Sequence, residues 1–175
     1  MTAPTAAPTT VGAAPALSPR TAALTVTAYG HPAPQGSKRH VGGGRMIESS
    51  KRLPDWRTAV QAAADAAIVR RMADDGGYGL PLDGPLVAEI TVTVPRPKSA
   101  PKTRVTWPQT RSSGDLDKLI RGVLDAIDKA GAIADDSRVV ELTARKVYPH
   151  EGIDALPRPG VVVHLWPLPA AEVPQ

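Results

Sequence analysis

The stretch from Asp115 to Ala130 constrains this chain more than any other. Leu116, Leu119, Ile120, Val123, Leu124 and Ile127 recur at helical spacing and form one apolar stripe. A helix with such a stripe buries it against another element. Gly131 follows as the stop, because glycine takes left-handed backbone at no steric cost. Candidate covering elements lie on both sides in sequence. Pro85 to Pro95 reads as a strand, with Leu86, Ala88, Ile90, Val92 and Val94 alternating against Val87, Glu89, Thr91 and Thr93. Ala22 to Tyr29 reads as a half-buried strand, with Leu24, Val26 and Ala28 inward. Val139 to Val147 and Gly160 to Leu165 give two more, expected to form a hairpin across the long loop Tyr148 to Pro159.

A second helix is expected from about Pro54 to about Met72. Trp56, Val60, Ala63, Ala64, Ala67 and Ile68 share one face, and Asp74-Asp75-Gly76-Gly77 ends it. Ser49 and Ser50 are available as its cap, with Pro54 tolerated in the first turn. Before it, Lys38 to Val41 and Arg45 to Glu48 flank Gly42-Gly43-Gly44 as a small hairpin. The expected fold class is therefore α/β in the broad α+β sense: a single mixed β-sheet with two main helices packed against it. Residues 1–20, rich in Thr, Ala and Pro, read as a disordered tail, 21–167 as one domain and 168–175 as a C-terminal tail.

Composition excludes several chemistries. No cysteine is present, so disulfides, thiolate nucleophiles and cysteine-held metals are ruled out. No apolar run approaches the roughly 20 residues of a membrane span. Met1 to Pro19 lacks the basic and apolar parts of a secretory signal, so a cytoplasmic location is expected. His31, His40, His150 and His164 lack ligand spacing, and His164, in an apolar strand, reads as structural. Gly42-Gly43-Gly44 lacks the Gly-Lys-Ser/Thr that a phosphate-cradling loop needs.

What remains is acidic. Asp115 and Asp117 flank a helix start, Asp115 at the cap position and Asp117 in the first turn. The partial positive charge there keeps carboxylates ionised. Asp135 and Asp136 follow the same helix. Hard oxygen ligands of this kind suit Mg²⁺, with Mn²⁺ as a substitute, and such ions act on phosphodiesters. The plain alternative is that one pair caps a helix and the other closes a turn. About 15 helical residues span roughly 22 Å, so the two pairs meet only if the chain runs back along the sheet.

The run from Gly114 to Lys146 resembles the core of the RusA family of Holliday junction resolvases. The matching pieces are Asp115-Leu116-Asp117, Leu124-Asp125-Ala126-Ile127, Ala130-Gly131, Asp135-Asp136 and Val139-Val140, in one register. The resemblance implies a Mg²⁺-dependent endodeoxyribonuclease whose catalytic, metal-binding aspartates converge, and they fall on Asp115, Asp117 and Asp136. It places Arg121 where the family often carries a functional lysine. Arginine keeps the charge but does not serve as a proton donor in the same way. Asp135 is either a helper or a turn residue, and Asp125 supports the helix or a basic neighbour. Pro32-Ala33-Pro34-Gln35-Gly36-Ser37-Lys38 only approximates the family's Pro-Pro-Ser-x-Asn. The implied substrate is branched DNA, chiefly the four-way junction. Paired cuts at its two-fold centre point to a homodimer.

The cations are segregated, as DNA binding requires. Lys38, Arg39, Arg45, Lys51 and Arg52 surround the glycine hairpin. Arg96, Lys98, Lys102, Arg104 and Arg111 populate an acid-free segment expected to be a long mobile loop, and Lys118 follows on the helix. Trp107, inside that segment, stacks on an unpaired base, wedges into a junction or covers the core. Two other functions fit the same residues: a broader flap or fork nuclease, and a junction-binding protein without turnover.

Overall fold

The computed structural model describes residues 22–36, 38–40, 46–48, 50–77, 79–101 and 103–168. In chain order the elements are β1 (Leu24–Tyr29), β2 (Lys38–His40), β3 (Met46–Glu48), α1 (Leu53–Asp75), β4 (Leu86–Thr93), α2 (Leu116–Lys129), β5 (Val139–Val147) and β6 (Gly160–Pro167). Four strands make one mixed sheet in the order β1-β6-β4-β5, with β4 and β5 parallel and the other pairs antiparallel. β2 and β3 pair as a separate ribbon, whose glycine tip lies outside the described residues.

The core follows from the strand alternation. The register sets Leu24, Leu165 and Ala88 in one row, Val26, Val163 and Ile90 in the next, and Ala28, Val161 and Val92 in a third. All nine are buried. α1 packs on β1 and α2, and α2 also packs on β5. α1 buries Trp56, Val60, Ala64 and Ala67, and α2 buries Leu119, Ile120, Val123 and Ile127. At roughly 25 cal/mol per Å² of apolar area, this shared face is the main source of stability.

The expected hairpin between β5 and β6 does not form, because β4 lies between them. The reason is burial. β4 hides Thr91 and Thr93 as well as its aliphatic side chains, so it needs a neighbour on both edges and cover on both faces. β5 exposes Val140, Glu141, Leu142 and Thr143 and tolerates the edge. The segment 148–159 therefore crosses the far face of the sheet to reach β6. Buried Leu156 donates its backbone N–H to Thr93 Oγ1 at 3.0 Å. His164 is held there too, between Thr25 Oγ1 (3.0 Å) and Asp154 Oδ2 (3.2 Å). Gly160 marks the tightest approach, where an added Cβ would stand 2.3 Å from the Ala28 carbonyl oxygen.

The helix ends need one correction. Arg52, not a serine, occupies the cap position of α1, without a side-chain cap bond. Ser50 instead accepts the Leu53 N–H on its carbonyl (3.2 Å), and Ser49 lies outside the described residues. α2 ends as its sequence requires. Gly131 takes φ +75° and donates to Asp128 O (2.8 Å), while Ala132 donates to Ile127 O (3.2 Å). Leu82 then bonds both Ala132 O and the Ala134 N–H (2.9 Å each), which fixes the turn leading to Asp135 and Asp136. No helix among the described residues is long and apolar enough to cross a membrane.

Candidate active site

Asp115 is the residue before α2, but its carboxylate caps nothing. It turns to Lys118 Nζ at 2.8 Å. Lys118 donates a hydrogen bond and adds its charge, and together these hold the Asp115 carboxyl below its usual range. Lys146 and Arg111 push the same way. The turn that delivers Asp115 is fixed from below by Lys146 on β5. Its ammonium donates to Gly114 O (2.5 Å) and Ser113 Oγ (3.0 Å). Burial lowers the Lys146 pKa, and Asp115 opposes that shift.

Asp117, one position into the helix, is exposed and faces a groove between α2 and β5. Leu116, Ile120, Leu124, Leu142 and Ala144 form its apolar floor, and Asp117, Arg121 and Asp136 line it. Asp117 and Arg121 are neighbours one turn apart. The Arg121 guanidinium also reaches the loop before β2, where an added Cβ on Gly36 would stand 3.6 Å from its Nη1. That loop runs along α2: the Gln35 N–H bonds Lys118 O (2.9 Å), and its side-chain amide donates to Asp125. Asp125 also meets Arg57 at 3.8 Å, the basic neighbour its position suggested.

Asp136 reaches the same groove from the turn after α2. It begins a short 3-10 turn whose cap, Asp135, accepts the Ser137 N–H at 2.9 Å. Asp135 thus closes the turn, and that bond lowers its pKa. The last turn of α2 feels both residues. Asp128 is pushed upward, first by desolvation and then by Asp135, Asp136 and Asp125. Asp125, Asp135 and Asp136 thus all act on Asp128 at this end, where the helix carbonyls also carry partial negative charge. The chain does run back along the sheet through β5, so Asp117 and Asp136 share one groove. Asp117 sits in the first turn of α2, whereas Asp136 acts on Asp128 near the helix's other end. Among the described residues, no three of His, Cys, Asp and Glu gather into a group able to hold a metal ion within one chain.

Of the expected DNA-contacting cations, Lys51 and Arg52 are exposed at the start of α1. Lys98, Arg104 and Arg111 are exposed on the segment before α2. The side chains of Lys38 and Arg39, and all of Arg45 and Lys102, lie outside what the structure describes. The segment 96–113, read as a long mobile loop, is bonded to the rest of the fold at several of its described residues. Glu151 accepts from the Arg96 guanidinium and from the Thr106 N–H (3.4 Å), and Arg96 also lies over the Tyr148 ring. Those bonds lower the Glu151 pKa, the Arg96 hydrogen bond most. Lys146 and Glu151 were missed in the sequence. Lys146 had a readable signal, since strand alternation puts it on the same side as Leu142 and Ala144. Glu151 had none, because its partners are 45 and 55 residues away.

Carboxylates and an arginine on one groove, with cations on the adjoining segment, outline an enzyme that cuts nucleic-acid phosphodiesters. The family model for Endodeoxyribonuclease RusA matches residues 30–154. The chain belongs to this family, and its class is that of a DNA nuclease, a Holliday junction resolvase. Proteins of the family generally act on branched DNA as homodimers and use divalent metal ions. No curated protein matches the chain. The donors here fit such an ion in kind, being exposed carboxylates at a helix start and a turn. In number, the described residues of one chain do not assemble them.

Proposed function

We propose that this protein resolves four-way DNA junctions as a homodimer, by paired, symmetric phosphodiester hydrolysis. In this reading Asp115, Asp117 and Asp136 hold Mg²⁺, and Arg121 neutralises phosphate charge. The observation that carries the reading is the one groove between α2 and β5 that Asp117, Arg121 and Asp136 all line. When bound, a divalent ion supplies charge neutralisation and an activated water. The chain's own residues do the rest. Lys118 and Lys146 keep Asp115 ionised and placed, Arg121 meets a phosphate oxygen, and Lys51, Arg52, Lys98, Arg104 and Arg111 bind flanking phosphates.

The groove also supports a shared site. Its floor is apolar and open, with Leu142 and Val140 each about half exposed beside it. A two-fold axis through its middle exchanges its ends. Asp115 and Asp117 of one chain then meet Asp136 of the partner subunit, and the exposed leucine is covered.

The test is cleavage of a mobile-core four-way junction by the full-length protein, with and without Mg²⁺, beside a linear duplex. Paired symmetric nicks that require Mg²⁺ are expected. Failure to cut any branched DNA in Mg²⁺ or Mn²⁺ would leave aspartates that only pair with a neighbouring lysine and close a turn. Lys146 gives a second check. Lys146→Ala frees the Ser113–Gly114 turn, and cleavage is expected to fall about 10- to 100-fold while junction affinity holds. An unchanged rate would remove Lys146 from the site.

A further inference from the structure

Trp107 does not cover the core. It is 69% exposed, and Val105 beside it is 67% exposed. The residue between them turns inward: Thr106 is half-buried, with its N–H on Glu151. The following residue, Pro108, is buried, and its carbonyl accepts Ser113 Oγ at 2.7 Å. Trp107 O takes the Gln109 N–H at 2.9 Å. The backbone on both sides of the indole is therefore fixed, while the ring stands in water. A bare tryptophan on a pinned backbone gains nothing for the isolated fold, and it is prepared for a partner.

The surroundings identify that partner. From Arg96 to Gly114 the chain contains no acidic residue. Lys98, Arg104 and Arg111 are exposed there and make no ion pair among the described residues. A ligand that offers flat π faces and negative charge together is an unstacked nucleotide. The ridge also ends at the candidate site, since Arg111 lies close enough to act on Asp115. A paired duplex hides its base faces, whereas the centre of a junction can open them.

We infer that Trp107, flanked by Val105, is a wedge that stacks on bases opened at the branch point, and that Glu151 is the positioning residue that holds it out. Trp107 thereby selects branched over linear DNA. The inference rests on the junction-resolving reading and adds to it how the branch is recognised.

The experiment uses full-length protein without Mg²⁺. Affinities for a four-way junction and for a linear duplex are measured at one salt concentration. A 2-aminopurine at the branch point reports stacking. Trp107→Ala is expected to lose about tenfold or more in junction affinity, to keep duplex affinity within about twofold, and to abolish the 2-aminopurine change. Trp107→Phe should retain most of both signals. Glu151→Gln should lower junction-over-duplex selectivity and speed tryptic cleavage after Arg104.

Trp107→Ala that binds and stacks like the wild type overturns the wedge and leaves the resolvase reading intact. Equal losses on junction and duplex also overturn it. So does conversion of the dimer to monomer by Trp107→Ala, which would make this face a subunit contact. A wild type without preference for the junction overturns both readings at once.

Discussion

Asp117→Asn is expected to lower Mg²⁺-dependent junction cleavage by about a thousandfold or more while junction binding persists. Asn keeps the size and one oxygen but removes the charge that draws a divalent ion. Asp117 is exposed and supports no buried contact, so its loss should not unfold α2. Asp136→Asn should match it. The informative experiment combines the two. If each site takes Asp117 from one chain and Asp136 from the partner subunit, re-equilibrated mixtures of the two variants regain activity. A heterodimer then contains one fully mutated site and one intact site. About a quarter of all sites recover, and they yield single nicks instead of paired cuts. If the carboxylates work within one chain, every site in the mixture lacks a ligand and the mixture stays inactive. That result would refute the shared groove. Unimpaired cutting by Asp117→Asn alone would refute the assignment of the aspartates.

Much of this architecture is legible from local pattern. The stripe from Leu116 to Ile127 fixes α2, and the Gly131 stop forms as its chemistry dictates. The alternation in β1 and β4 fixes which side chains make the core. Strand neighbours are a different matter. Two adjacent strands with a long loop read as a hairpin, yet β4 separates them. The clue was the double-sided burial of β4, which shows only when Thr91 and Thr93 are known to be covered. The site divides in the same way. Placing Asp115 and Asp117 at a helix start needs only neighbours in sequence. Whether Asp136 joins them depends on the path through the turn that Leu82 fixes and along β5, and spacing does not encode that path. The cap expected of Ser50 failed because the chain enters α1 through Arg52 in helical backbone, which leaves the serine carbonyl, not its hydroxyl, as the acceptor.

Tryptophan shows the limit most sharply, because the same residue type serves opposite ends here. Trp56 is 2% exposed, packed between α1 and the end of β1, where an added Cβ on Gly30 would stand 3.2 Å from its Cε3. Its indole nitrogen is buried, with no hydrogen-bond partner among the described residues. Trp56→Ala should therefore destabilise the fold by about 3–5 kcal/mol, since the loop backbone above it cannot follow the vanished ring into the cavity. That is a large share of a total of roughly 5–15 kcal/mol. Chemical denaturation should show a lower midpoint at an unchanged slope. Trp56→Phe should cost far less, because it keeps most of the buried ring and removes the unpaired N–H. Trp107→Ala should leave the midpoint where it is. A Trp56→Ala protein within about 1 kcal/mol of the wild type would mean that the sheet and α1 close over the gap, contrary to the close packing seen at Gly30.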